Sequence, residues 1–108
     1  MRLHKILHYL GITRNYRGYQ QVCMAVELVL ERPERLHRIM HDVYYVVAKE
    51  YGCSPLCVER NIRTIIIKAW RCNYSRLCEI ANCNLLSPPT AAEFVDLLST
   101  YIDERKIG

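Results

Sequence analysis

Between Pro55 and Arg71 the chain places Arg60, Arg63, Lys68 and Arg71 against one acid, Glu59. A guanidinium fork donates two parallel hydrogen bonds, which suits the O6 and N7 of a guanine or the oxygens of a phosphate. The residue types alone are equally those of a solvated basic face. Spacing adds the geometry. Val58, Ile62, Ile65, Ile66 and Ala69 recur at helical intervals and form an apolar stripe, which leaves Leu56, Arg60, Arg63, Thr64 and Arg71 pointing outward.

The elements needed to present that face are written in the stretch AKEYGCSPLCV, from Ala48 to Val58. A small Ala48 permits a close helix crossing, Gly52 supplies the positive φ that ends a helix, and Val58 buries the next one against it. Ser54 is then the N-cap and Pro55 the first helical residue of a segment that runs to about Arg71. The spacing is that of a helix-turn-helix, and duplex DNA becomes the leading partner, with the outward face as the candidate reader of bases. The competing reading is an ordinary helical hairpin whose glycine is only a C-cap.

A chain of 108 residues, 51% hydrophobic, fits one domain with a core of its own. Its net charge of +4 is modest but unevenly placed. The segment up to Tyr19 holds Arg2, Lys5, Arg14 and Arg17 with no acid, whereas from Glu93 onward Glu93, Asp96, Asp103 and Glu104 outnumber Arg105 and Lys106. One pole suits phosphates and the other does not.

Six cysteines without a signal peptide, in a chain with ample apolar content, read as reduced cytosolic thiols rather than a disulfide scaffold. The spacings Cys53 to Cys57, Cys72 to Cys78 and Cys78 to Cys83 contain no CxxC pair. His4 with His8, and His37 with His41, share helix faces but lack an HExxH context, so no metal is expected. No cofactor is implied either. No apolar run is long enough for a membrane span. A glycine-rich phosphate loop, a nucleophile with a placed base and a cleft carboxylate pair are all missing, which argues against an enzyme.

Helical periodicity runs the length of the chain, without lasting strand alternation. Leu3, Ile6, Leu7 and Leu10 predict a first helix closed by Gly11. Gly18 to Glu31 predicts a second, stopped by Pro33. A third, from about Glu34 to Tyr51, buries Leu36, Ile39, Met40, Val43, Val47 and Ala48. A short helix is expected around Ser75 to Ala81, then a linker from Leu85 to Pro89. Thr90 and Glu93 form a capping box that starts a last helix with Phe94, Leu97, Leu98, Tyr101 and Ile102 on one side. There is no internal repeat.

VERNIRTIIIKAW, preceded by ILHYLGITRNYRGY and followed by PTAAEFVDLL, resembles the C-terminal effector domain of the sporulation initiation response regulators of endospore-forming Firmicutes. The resemblance runs from Ile6 to about Ile102 and rests most on Val58, Glu59, Arg60, Ile62, Arg63, Ala69, Trp70 and the Arg17-Gly18-Tyr19 corner. It implies an all-α domain of about six helices containing a helix-turn-helix, of the winged-helix-like response-regulator effector type without the receiver. It also implies a cytoplasmic transcription regulator that binds a short promoter box, with a second copy on tandem boxes and RNA polymerase as further partners. The family's phosphorylated receiver is outside these 108 residues, so an excised domain and a native short regulator stand side by side.

Carried across, Glu59, Arg60 and Arg63 fall where the family contacts DNA. Arg60 is the expected guanine reader, Glu59 an acceptor for a cytosine amino group or an orienter of the fork, and Arg63 a phosphate contact. Leu56 and Cys57 complete the expected base-reading set. Ser54, through the positive end of its helix, with Thr64 and Lys68, completes the phosphate set. Departures accompany the match: Leu56 and Cys57 replace a small polar residue and an arginine, Thr64 a histidine, and Ile67 a glutamate. The segment between Trp70 and Phe94 is also shorter. A cysteine at 57 offers at most an apolar contact, for instance with a thymine methyl. The alternative function is a helical protein-interaction module that kept the fold and lost specific DNA readout.

Overall fold

Local caps set the end of one helix, at Gly52, and the starts of two others, at Ser54 and Thr90. A computed structural model describes the backbone of residues 2–107 and the side chains of residues 2–104. Its α-helices are α1 (Arg2–Tyr9), α2 (Tyr19–Glu31), α3 (Tyr45–Tyr51), α4 (Pro55–Cys72), α5 (Tyr74–Ala81) and α6 (Ala91–Ile107). No strand occurs among the described residues. None of these helices is long and apolar enough to cross a membrane.

At the end of α3, Gly52 adopts φ +66° and donates its amide to the Ala48 carbonyl. This left-handed cap turns the chain sharply into α4. Ala48 and Val58 are both buried where the two helices meet. At the start of α6 the capping box is formed in both directions. The Thr90 amide donates to Glu93 Oε1 at 2.8 Å, and the Glu93 amide donates to Thr90 Oγ1 at 3.1 Å.

The expected third helix is corrected. Instead of one helix from Glu34 to Tyr51, the chain makes a 3₁₀ segment (Pro33–Arg38), a π turn (Met40–Tyr44) and only then α3. The apolar period of Leu36, Ile39, Met40, Val43 and Val47 fits a straight helix. The wider π turn changes the phase, however, so Tyr44 is 1% exposed and Met40 is turned out at 42%. Leu36 and Ile39 are half-buried rather than buried.

Helix α2 is the hub. Tyr19, Val22, Ala25, Val26 and Val29 are buried along it, and it packs against α6, α4, α3 and the 33–44 segment. From α6, Phe94, Val95, Leu98 and Ile102 enter the same core, with Leu97 and Tyr101 half-buried at its edge. From α4 come Val58, Ile62, Ile65, Ile66 and Ala69, each at 0% exposure, as their spacing predicts. The inward stripe of α4 is thereby locked, and this dictates which residues it can present outward.

Candidate nucleic-acid interface

The first turn of α4 is built around Ser54, which is extended (φ −95°, ψ 158°) and whose Oγ accepts from the Cys57 amide at 3.1 Å. Pro55 has no amide hydrogen, and the Val58 amide bonds the Ser54 carbonyl at 3.1 Å. A phosphate at this helix end is therefore left the Leu56 amide, the remaining first-turn donor.

The outward face of α4 is open. Leu56, Arg60, Arg63, Thr64 and Arg71 are all exposed. Glu59 is half-buried and pairs with Arg63 at 3.3 Å, one turn along the helix. Arg60 has no such partner among the described residues, so its five donors face solvent. The carboxylate thus orients Arg63 rather than Arg60. Thr64 directs its hydroxyl back to the Arg60 carbonyl at 3.2 Å, which commits its proton to the helix. Lys68 is half-buried, and the thiol of Cys72 and the phenol of Tyr16 beside it push its pKa up.

Cys57 is placed differently from the rest of the expected base-reading set. It is half-buried, and its Sγ accepts from Asn61 Nδ2 at 3.7 Å. Asn61 Nδ2 also donates to Gln21 Oε1 at 3.0 Å, and Gln21 Nε2 reaches Cys53 Sγ at 3.9 Å. Gln21 itself is 5% exposed. Two amides and two thiols therefore tie the first turns of α4 to α2, a cluster that the reading of the sequence missed. Its signal was a glutamine on the apolar stripe of α2, since a buried amide needs partners.

A second brace is Gly18, whose Cα hydrogen faces α4 so closely that a Cβ there would stand 2.8 Å from the Asn61 carbonyl oxygen. The loop before α2 consequently meets α4 at Gly18, and its Arg14 and Arg17 are exposed. Tyr44 packs under the same face. Its hydroxyl is buried without a partner among the described residues, and burial, with Glu59 nearby, pushes the phenol well up.

One histidine of each pair has a local partner. His4 Nδ1 lies 2.6 Å from the Tyr19 hydroxyl, and His41 Nδ1 lies 2.8 Å from Asp42 Oδ1, its ring stacked on Tyr45. Among the described residues no three His, Cys, Asp or Glu side chains converge as a metal site would require. The family model described as sporulation initiation factor Spo0A C terminal matches residues 3–102, a span that holds the entire helix-turn-helix and the loop bracing it, and the chain belongs to that family.

Proposed function

We propose that this chain is a sequence-specific DNA-binding transcription regulator that sets α4 in the major groove of a short promoter box. The observation that supports it best is the division of labour on the outward face of α4, where Arg60 is unpaired among the described residues and Arg63 is held by Glu59. A free fork one turn into a helix suits a guanine edge, whereas a tethered one suits a phosphate at fixed register. Leu56 adds an exposed apolar group for a thymine methyl, and Glu59 keeps an oxygen for a cytosine amino group. Ser54 marks the helix end nearest the backbone, with Thr64, Lys68, Arg14 and Arg17 along the flanks. Cys57 contributes at most its sulfur. A second copy on a tandem box and contact with RNA polymerase belong to the same proposal.

The second reading, a protein-interaction module, draws on Leu56, which is 61% exposed, and on Cys57, which is turned into the α2 contact. Selection from random duplex DNA, followed by fluorescence anisotropy at two salt concentrations, separates the two. The DNA reading expects a recovered motif containing guanine and affinity that falls as salt rises, through counterion release. A flat salt response, or no preference among sequences, transfers the conclusion to the interaction module.

A further inference from the structure

We propose that Cys53 and Cys57 form a dithiol modification site at the turn of the helix-turn-helix, which a hydroperoxide closes into an intramolecular disulfide that weakens DNA binding. The two backbones are anchored on opposite sides of the turn. The Cys53 amide bonds the Ala48 carbonyl at 3.0 Å, and the Cys57 amide bonds Ser54 Oγ at 3.1 Å. The sulfurs are held by one amide bridge: Gln21 Nε2 lies 3.9 Å from Cys53 Sγ, Asn61 Nδ2 lies 3.7 Å from Cys57 Sγ, and the two amides are bonded at 3.0 Å. Cys57 is near enough to Cys53 to help raise its pKa. Both are free and half-buried, open to a small oxidant. Cys23, by contrast, is buried, and burial pushes its thiol up to about 11.

The chemistry balances with hydrogen peroxide as the oxidant. The thiolate of one cysteine attacks a peroxide oxygen, the O–O bond breaks, and hydroxide leaves and takes up a proton as water, giving a sulfenic acid. The second thiol attacks that sulfur, the S–O bond breaks, a second water departs and the S–S bond forms. Two thiols are oxidised and one peroxide is reduced to two waters. Cys53, whose pKa burial and Cys57 push up, suits the second role.

Closing the sulfurs to a bond of about 2.05 Å draws the first turn of α4 toward the end of α3. That turn is the part of a reading helix that enters the groove most deeply. The effect on binding rests on the DNA reading above, and formation of the disulfide does not.

The test uses the full chain carrying Cys72→Ser and Cys83→Ser, which keeps those exposed thiols from linking copies. It is treated with hydrogen peroxide, alkylated, and cleaved by trypsin, which releases Glu50 to Arg60 as one peptide holding both cysteines. The expected product is that peptide unalkylated and lighter by two hydrogens, restored by dithiothreitol. Affinity for the selected duplex falls by about tenfold, the worth of roughly one good base contact. Adding Cys53→Ser removes both the mass change and the peroxide-dependent fall in affinity. Recovery of both thiols alkylated, or of separate sulfinic acids, overturns the site. A disulfide that leaves affinity unchanged overturns its effect on binding. If the reduced chain binds no duplex, the DNA reading falls, and the peptide mass still decides the disulfide.

Discussion

Glu59 precedes two arginines, Arg60 and Arg63, and pairs with the farther one, at 3.3 Å, because residues one turn apart share a helix face and adjacent residues do not. The two arginines should therefore respond differently to truncation. Arg60→Ala is expected to cost roughly 1–3 kcal/mol on the preferred duplex and to relax choice at one base pair. Arg63→Ala should weaken all sequences alike and make the salt slope shallower by about one. Anisotropy titrations of both variants on preferred and scrambled duplexes, over a salt series, check this; identical behaviour would remove the distinction. Cys57→Arg gives up a weak thiol–amide contact and places a fork on the first turn of α4. It should strengthen binding to a guanine-containing duplex over a scrambled one by about 1–3 kcal/mol. An equal gain on both duplexes would reveal charge attraction without base reading.

At the scale of elements, the interface depends on how the flanking loop and the caps hold α4 and α6. Gly18 has no room for a side chain, since a Cβ would meet the Asn61 carbonyl oxygen at 2.8 Å. Gly18→Ala should therefore destabilise the fold by about 1–3 kcal/mol, the range for overpacking, and lower the midpoint of chemical denaturation. An unchanged midpoint would mean that the loop does not rest on α4. The capping box is a purely local device by comparison. Thr90→Ala removes the acceptor for the Glu93 amide and should cost about 1 kcal/mol, read by the same measurement, with DNA binding at low temperature unaffected.

For the molecule as a whole, α4 is only as well placed as the core behind it. α2 contacts both α4 and α6, and α6 also packs directly against α4, so the acidic C-terminal helix is part of the support on which α4 rests. Phe94, at 0% exposure, is the largest side chain that α6 sends into that core. Phe94→Ala should cost about 3–5 kcal/mol in thermal or chemical unfolding and reduce DNA binding only in proportion to the folded fraction. A loss of binding in a variant that remains folded would point instead to a direct role of α6 at the DNA.

Sequence by itself determined what neighbours in the chain can decide. Ser54 and Pro55, Gly52, Pro33, and Thr90 with Glu93 place helix ends within one or two turns, because a cap bonds amides only a few residues away. The stripe of Val58, Ile62, Ile65, Ile66 and Ala69 determined which face of α4 turns outward, and so exposed Arg60 and Arg63 before any fold was known. Tertiary structure alone decided the rest. The π turn that exchanges Met40 for Tyr44 in the core follows from packing against α2 and α4, to which a straight helical period is blind. The position of Cys57 depends on Asn61 and Gln21, partners 40 residues apart, and the need for glycine at 18 depends on a carbonyl in α4. Such contacts are set by the meeting of whole elements, and no local spacing encodes them.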